Sequence, residues 1–239
     1  MKVKLTHPLV SCLCITDNRP SLLLKAIVNF DAQNYPNREL VISYPSTDIA
    51  TKNLLNRLLE TSDLNIIPVE RNASDSIGKA KNLAIHHCEG DYICTWDDDD
   101  IYYTNRLAHQ FNSLQGQGKY FQAGILSHIL LYNANTQKAY SSFPSYWGGS
   151  LICRKDLIIR YPYSNTNIAE DTSLLKSLES IKLLQKIDDA PYLYIFVYHG
   201  KNALDHSYYH FFSSRSQQLD QETAQNIRIY YEQQIELVY

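Results

Sequence analysis

The chain has 239 residues, of which 44% are hydrophobic and 20% are charged, and its formal net charge at pH 7 is -3. A chain of this length and hydrophobicity can bury a large core, which excludes a disordered chain, a collagen-like fibre and a disulfide-framed miniprotein. The pI near 6.2 and the scattered basic residues argue against nucleic acid as a partner.

The cysteines and the apolar runs bear on the cell compartment. The chain has five cysteines, an odd number, and no Cys-x-x-Cys pair. This usage is typical of reduced core thiols in the cytoplasm. No run reaches the roughly 20 apolar residues that cross a bilayer, and the amino terminus lacks the features of a signal peptide. We expect a cytoplasmic protein with no transmembrane segment, for which peripheral membrane contact stays open.

The first 100 residues alternate short apolar runs with helical patterns. Strands are predicted at 9–15, 39–43, 65–69 and 92–96, and helices are predicted from Pro20, around 54–59 and from Ile77. Strands that alternate with helices indicate a parallel sheet covered on both faces, with right-handed crossovers. Ligands of such sheets bind beyond the carboxyl ends of the strands.

After residue 100 the predicted elements become mixed. They are a helix at 105–114, strands at 125–132 and 137–142 around a hairpin turn, a strand at 149–153, a helix at 172–178 and a strand at 192–198. A last helix from about Thr223 places one apolar stripe on the core, formed by Ile227, Tyr231, Ile235 and Val238. We predict one domain, 1–239, with a first half that resembles a nucleotide-binding fold (1–100), a mixed second half (101–205) and a C-terminal helical segment (206–239).

Four aspartates, Asp97 to Asp100, follow the fourth predicted strand. Adjacent like charges repel unless solvent screens them or a cation neutralises them. Mg²⁺ and Mn²⁺ prefer carboxylate oxygens and bind through one or two carboxylates while substrate phosphates complete the shell. The position at a strand end favours a Mn²⁺ or Mg²⁺ site for a diphosphate over the alternative, a solvated acidic turn before the next helix.

Several segments in register resemble family 2 glycosyltransferases. Residues 89–93, 96–102 and 105–107 are similar to the Asp-rich signature of that family, with its DXD motif. The resemblance extends over residues 8–202 and includes 8–19, 39–48, 78–85, 148–154 and 169–171. It implies a GT-A fold, with a Rossmann-like, mostly parallel sheet flanked by helices and a mixed acceptor-side half. It also implies an enzyme that moves a sugar from a nucleoside diphosphate to an acceptor hydroxyl, usually with inversion.

The resemblance also implies roles for individual carboxylates. Asp99 is expected to ligate the metal, and Asp97 and Asp98 are expected to lie at the ribose and diphosphate. Glu170-Asp171 resembles the Glu-Asp motif of the family, in which Asp171 takes the proton from the acceptor hydroxyl. By their residue types alone, these two side chains also fit a helix start with favourable dipole placement.

Three further positions are expected on the donor side. The loop from Thr16 through Asp17 to Arg19 is expected to hold the nucleoside, with Arg19 near phosphate or base, and a plain polar turn is the alternative. Lys81 stands where an Arg is common, which keeps the charge and loses the forked donor geometry. His199 resembles a position that closes the site and sometimes completes the metal shell, although a lone His after a strand is often only hydrogen-bonded.

Trp147, Gly149 and Glu170 are expected on the acceptor side. Trp147 offers a flat surface for a sugar ring, although most aromatic residues fill cores. Near the carboxyl end, an aromatic cluster fits a core, a dimer seam or an acceptor surface; its members are Tyr208, Tyr209, Phe211 and Phe212. The oligomeric state stays open.

These expectations combine into a metal-dependent, inverting glycosyltransferase that uses a UDP-sugar and acts on a polysaccharide or a lipid-linked saccharide. The family usually has an acidic residue at the end of strand two, where this chain has Ser43-Tyr44-Pro45. This departure keeps open a catalytically silent nucleotide-sugar binder. A metal-dependent phosphohydrolase is a second alternative. It would require an Asp pair after the first strand and a small hydroxyl residue in place of Ile101, and neither is present in the sequence.

Overall fold

The computed structural model describes residues 7–116, 121–203 and 205–236. Its first half confirms the predicted alternation of strands and helices. The elements are β1 (Val10–Ile15), α1 (Pro20–Asp31), β2 (Arg38–Pro45), α2 (Ile49–Thr61), β3 (Ile66–Arg71), α3 (Ile77–Ile85) and β4 (Tyr92–Thr95).

The second half is mixed, as predicted. Its elements are β5 (Ile101–Tyr102), α4 (Arg106–Gly116), β6 (Ala123–Leu126), β7 (Leu130–Asn133), β8 (Lys138–Ser141), β9 (Ile152–Arg154), α5 (Lys155–Arg160), α6 (Thr172–Ser180), β10 (Leu184–Ile187), β11 (Tyr194–Tyr198), α7 (His206–Ser213), β12 (Gln217–Gln218) and α8 (Gln221–Glu236).

Three predicted strands differ from the structure. The strand at 125–132 is wrong as one element, because β6 and β7 lie in different sheets. The strand at 149–153 begins only at Ile152, since Gly148–Ser150 form a 3-10 turn, and a second 3-10 turn, Pro191–Leu193, delays β11. In the stripe predicted for α8, Ile227 is buried, whereas the side chain of Ile235 and all of Val238 lie outside the described residues.

The larger sheet has seven strands in the order β10-β6-β9-β4-β1-β2-β3. All of them run parallel except β9, which pairs antiparallel with both β4 and β6. The chain order reverses at β1, which lies between β2 and β4. Crevices for ligands form at such a switch point, beyond the carboxyl ends of the strands. The residues after β1 and β4 are Thr16 and Trp96, each at the entrance to a polar loop.

The smaller sheet has the order β12-β8-β7-β11-β5. The predicted hairpin is confirmed, because β7 and β8 pair antiparallel and the side-chain oxygen of Asn133 accepts hydrogen bonds from the backbone of Asn135 and Thr136. Strand β11 runs beside β5, which directly follows the Asp-rich loop. The smaller sheet therefore holds the strand that directly follows the Asp-rich loop.

Local signals explain the helix starts that flank the switch point. Pro20 opens α1, where a missing N–H costs nothing. Asp48 caps α2 by accepting from Thr51 N at 3.0 Å, and Ser76 caps α3.

All five cysteines are buried and unbridged, which confirms the expected thiols. Within the described ranges, no helix has both the length and the apolar character needed to cross a membrane.

Candidate active site

The carboxyl ends of β1 and β4 open into a cavity of about 830 Å³. Every predicted site residue except His199 lines it; they are Thr16, Asp17, Arg19, Lys81, Asp97, Asp98, Asp99, Trp147, Gly149, Glu170 and Asp171. His199 contacts a residue of the cavity lining, with its Nε2 3.3 Å from Asp99 Oδ2. The fold thus brings together residues that are up to 183 positions apart, from Thr16 to His199 (199 − 16).

Arg19 bridges two of the aspartates. Its Nη2 donates to Asp98 Oδ1 at 2.6 Å and its Nη1 donates to Asp99 Oδ2 at 3.0 Å. Thr16 Oγ1 donates to the other Asp98 oxygen at 2.6 Å. Asp98 is only 2% exposed, and burial, reinforced by repulsion from Asp99, raises its pKa to about 7. The loop after β1 is therefore joined to the acidic loop by these three contacts.

Asp97 and Lys81 form a second charged group in the cavity. Desolvation of the half-buried Asp97 carboxyl raises its pKa to about 6, while the positive charge of Lys81 opposes that rise. Lys81 is buried and donates to Glu170 Oε1 at 2.7 Å. Burial alone would lower the pKa of Lys81, but the negative charge of Glu170 raises it overall. Lys81 thus holds Glu170 and offsets charge near Asp97.

Asp100 differs from its three neighbours, because both of its carboxylate oxygens are hydrogen-bonded to β11. Tyr194 donates its hydroxyl to Oδ2 at 2.6 Å, and Val197 donates its backbone N–H to Oδ1 at 2.8 Å. Burial raises the pKa of Asp100 well above its usual range. Asp100 therefore anchors the acidic loop to the strand that leads into His199.

The donor set near Asp99 bears on a metal ion. Within residues 7–116, 121–203 and 205–236, no three His, Cys, Asp or Glu side chains are grouped so that they could hold one. Asp99 and His199 are nevertheless donors that Mn²⁺ accepts, and such an ion binds through one or two protein side chains when phosphates complete its shell. The residues fit a metal of this kind, although Arg19 already engages the same Asp99 oxygen as His199.

The turn at Gly148 and Gly149 seats two carboxylates. A Cβ added to Gly148 would overlap the carboxylate of Asp171, and one added to Gly149 would overlap the hydroxyl of Tyr194 and lie 2.9 Å from Asp97 Oδ2. Only glycine leaves room for both contacts. The turn therefore places Asp97 and Asp171 against one wall of the cavity.

Asp171 occupies the N-cap position of α6, but its side chain makes no capping hydrogen bond. The carboxylate instead lies against Gly148 at the cavity wall. Burial raises the pKa of Asp171, and the charge of Lys81 opposes this rise. The helix-start alternative thus describes the backbone of Asp171 and leaves its side chain available to the cavity.

Arg106, for which the sequence indicated no role, supports the Gly148–Ser150 turn from the core. It is 0% exposed, and its guanidinium donates to Gly149 O at 2.9 Å and to Gln110 Oε1 at 3.0 Å. Gln110 in turn donates to Ser150 O at 2.7 Å. The spacing of Arg106 and Gln110, four residues apart on the buried face of α4, was the available signal.

Two further residues line the cavity: Arg71, for which the sequence indicated no role, and Tyr208, a member of the predicted aromatic cluster. Arg71, at the end of β3, is 7% exposed and donates to Thr16 O at 3.1 Å. Tyr208, on α7, lines the cavity beside Asp171 and Trp147. Arg71 pairs in register with Pro45, so its side chain lies at the sheet end where the sequence departs from the usual pattern. The sequence left Tyr208 open among a core, a dimer seam and an acceptor surface, and the structure places it at the cavity.

A comparison with protein families identifies the family of this chain. The family described as "Glycosyl transferase family 2" matches residues 11–175, which is more than half of the chain. The chain belongs to this family. The match covers β1 and the Asp-rich loop and ends within α6, so Asp171 lies inside it and α7 lies outside it.

Curated relatives are similar over part of their length. An Escherichia coli UDP-Glc:alpha-D-GlcNAc-diphosphoundecaprenol beta-1,3-glucosyltransferase, WfaP, is 25% identical over 113 residues, which are 47% of this chain and 44% of the relative. The putative colanic acid biosynthesis glycosyl transferase WcaA of E. coli K12 is 29% identical over 43% of this chain and 36% of its own. The matched region is therefore less than half of either relative.

Solved structures confirm the GT-A fold. A mannosyltransferase from Pyrobaculum calidifontis, in complex with GDP-Man and Mn²⁺, superimposes with a TM-score of 0.64 at 17% identity, covering 85% of this chain and 60% of that one. S. aureus TarS in complex with UDP gives a TM-score of 0.59 at 14% identity, covering 79% of this chain and 60% of that one. The predicted fold class is thus confirmed.

Proposed function

We propose that this protein is a metal-dependent, inverting glycosyltransferase that moves a sugar from a UDP-sugar to a hydroxyl of a saccharide acceptor. The observation that carries the proposal is the cavity at the carboxyl ends of β1 and β4, which is lined by Asp97, Asp98 and Asp99 and by a separate carboxylate, Asp171, whose side chain makes no capping hydrogen bond. One group suits the donor diphosphate, and the other suits the acceptor.

On the donor side, the chain supplies cations as well as carboxylates. Arg19 and Lys81 both line the cavity, and each is paired with an acidic side chain, Arg19 with Asp98 and Lys81 with Glu170. Both cations are therefore available to a diphosphate that enters the cavity. A Mn²⁺ or Mg²⁺ ion held by Asp99 and His199 would offset the charge that develops on the leaving diphosphate. Thr16 and Asp17, at the end of β1, are proposed to contact the nucleoside.

On the acceptor side, Asp171 is the proposed general base. Its carboxylate is partly desolvated and lies against Gly148, so its orientation is fixed by contact with the backbone. It accepts the proton of the acceptor hydroxyl as that oxygen attacks the anomeric carbon from the face opposite the leaving diphosphate. Trp147, Gly149 and Glu170 are proposed to form the surrounding acceptor site.

The choice of UDP and of a lipid-linked or polymeric acceptor draws support from relatives. The E. coli relative is named as acting on a UDP-sugar and a diphosphoundecaprenol-linked acceptor, and TarS was solved with UDP. The mannosyltransferase was solved with GDP-Man, so related folds also take another base. Arg71 supplies buried N–H donors at the end of the cavity near β3.

We further propose that the chain acts as one domain with the halves 1–100 and 101–205 and the segment 206–239. The proposed compartment is the cytoplasm, because the five buried cysteines are unbridged.

A thermal-shift panel tests the donor assignment. Purified protein is heated with UDP, GDP or dTDP, each with and without Mn²⁺. We expect Mn²⁺-dependent stabilisation by UDP, because a ligand that binds only the folded state raises its stability. Stabilisation by GDP alone would replace the base assignment, and no stabilisation by any nucleotide would overturn the donor site.

The catalytically silent binder is the alternative that the strand-two departure favours. Ser43, Tyr44 and Pro45 do not line the cavity in the described part of the chain, where Arg71 does. Both functions predict nucleotide binding, so hydrolysis or transfer of a UDP-sugar separates them. Release of UDP from UDP-glucose or UDP-GlcNAc, followed by a coupled assay, is expected for the enzyme and absent for the binder.

A further inference from the structure

Helix α7 contributes to the cavity although it lies outside the family match, which ends at residue 175. Its N-terminus is capped by Asp205, which accepts from Tyr208 N at 3.0 Å. Tyr208 is the α7 residue that lines the same cavity as Asp171. The helix is therefore a part of this chain's site that lies outside the family match.

The rings of Tyr208, Phe212 and Trp147 form a continuous aromatic wall. Phe212 packs on Tyr208 with 4.7 Å between ring centroids, and it packs on Trp147 at the same distance. Trp147 is 6% exposed, whereas Tyr208 is 37% exposed. Tyr208 thus forms the accessible part of the aromatic wall, and Phe212 and Trp147 fix its position.

The aromatic wall adjoins the carboxylates at the acceptor end of the cavity. Trp147 directly precedes Gly148, against which the Asp171 carboxylate lies. Burial raises the pKa of Tyr208 to about 12, and the negative charges of Asp171 and Glu170 add to that rise. The phenol is therefore neutral at physiological pH, and it presents a flat ring and a hydroxyl beside the proposed base.

We infer that Tyr208 is a specificity-determining residue that binds a pyranose ring of the acceptor beside Asp171. This inference rests on the proposed function and assigns one residue of its acceptor site. A pyranose has apolar C–H faces and peripheral hydroxyls, and a tyrosine at the edge of a cavity offers an apolar face and a polar tip to match them. A small, fully charged acceptor would gain nothing from such a ring.

The outward side of α7 provides a matched control. Phe211 is 48% exposed and does not line the cavity, and Arg215 lies over its ring with 4.0 Å to the centroid. Phe211 and Tyr208 are thus exposed aromatic residues on one helix, of which only Tyr208 faces the site. Of these two residues, only Tyr208 could contact a saccharide in the cavity, whereas a bilayer against α7 would contact both.

The test is saturation-transfer NMR on the full chain with UDP and Mg²⁺ present. The probes are the methyl glycosides of glucose, galactose, mannose and N-acetylglucosamine. We expect at least one glycoside to receive saturation, and we expect Tyr208→Ala and Tyr208→Leu to weaken its affinity about five-fold or more. Tyr208→Phe, which keeps the ring, is expected to stay within about two-fold, and Phe211→Ala is expected to match the unmodified protein.

Three outcomes overturn the inference. One is wild-type affinity in Tyr208→Leu, and another is the absence of saturation for every glycoside while UDP still stabilises the protein. Co-sedimentation with anionic vesicles that is lost equally in Tyr208→Leu and Phe211→Ala would assign α7 to a bilayer instead. The thermal shift with UDP keeps the two proposals apart, because its absence in the unmodified protein contradicts the donor site and not the aromatic wall.

Discussion

Strands β1 and β4 have a cavity at each end. The cavity at their carboxyl ends has a volume of about 830 Å³, and the one at their amino ends, lined by Pro8, Tyr92 and Arg154, has about 660 Å³. The two cavities differ in how far their charged side chains are exposed to solvent. At the amino ends, Arg154 pairs with Asp156 in an exposed, two-bonded arrangement, whereas at the carboxyl ends Asp98 is 2% exposed among other carboxylates.

The burial of like charges distinguishes the candidate site from the other cavity. Exposed opposite charges such as Arg154 and Asp156 are solvated and stabilise little. Carboxylates that are desolvated side by side cost free energy in the isolated protein, so their persistence indicates a ligand that binds them. The following changes test this contrast, from the largest expected effect to the smallest.

Asp171→Asn removes the proposed base while it preserves the shape that fits against Gly148. We expect the transfer rate to fall by about 10²- to 10⁴-fold, since proton transfer in the transition state contributes on that order. The shift in melting temperature with UDP and Mn²⁺ is expected to remain, because the donor side is untouched. Full transfer activity in this variant would remove Asp171 from its role.

Asp99→Asn tests the metal assignment. The amide keeps the size of the side chain but loses the charge that favours a divalent ion, so Mn²⁺ affinity is expected to drop about 10-fold or more. Isothermal titration with Mn²⁺ in the presence of UDP measures it. Asp156→Asn, at the amino-end cavity, is the matched control and is expected to leave Mn²⁺ affinity unchanged; an equal loss in both variants would contradict the assignment.

Gly148→Ala tests the seat of Asp171. The added Cβ would overlap the Asp171 carboxylate and displace it, and a misplacement of about 1 Å costs up to about 10²-fold in rate. We expect a loss of transfer of about 10- to 100-fold, with donor binding retained. Gly116→Ala, at a position with open space, serves as the control in the same assay.

The acid limb of the pH profile should follow Asp171. A base must be ionised, so kcat/KM falls as pH drops through its pKa, and burial raises that pKa above the ordinary value for aspartate. The loss should therefore begin closer to neutral pH than for an exposed aspartate. Lys81 lowers the pKa of Asp171, so Lys81→Met should move the limb to still higher pH. A shift to lower pH would contradict this account.

Arg154→Ala is expected to have the smallest effect. Its ion pair with Asp156 is exposed, and such pairs contribute less than about 1 kcal/mol to the free energy of unfolding. Transfer activity and UDP binding should be unchanged. Urea denaturation and the coupled assay measure both, and a loss of activity would show that the amino-end cavity also takes part in function.

The sequence was sufficient to predict the parallel strands and the position of the acidic loop. The reason is local: β1 to β4 are short apolar runs between turns, and Asp97 follows the last of them. The split of 125–132 into β6 and β7 was not predictable, because it depends on long-range pairing with β10 and β11. Ser127, at the split, is hydrogen-bonded to Ile187 O, far away in the chain.

The roles in the site that the sequence did not determine share a physical origin. Arg106 acts by donating to a backbone carbonyl of a distant turn. Gly148 is needed because a side chain there would overlap the carboxylate of Asp171. Tyr208 lines the cavity from a helix that begins after residue 205. Residue type and spacing describe the chemical groups of a side chain and its place within a helix or strand. They do not describe the tertiary neighbours that give a glycine or an arginine its role.

The single inverted strand decides which loops meet at which edge. Because β9 runs against β4, with Cys94 opposite Ile152 and Tyr92 opposite Arg154, the chain enters β9 where it leaves β4. The glycine turn before β9 therefore faces the acidic loop after β4, and Arg154 emerges on the opposite edge. Had β9 run in the common direction, the turn and Arg154 would have exchanged edges, and the carboxylate of Asp171 would have lost its support.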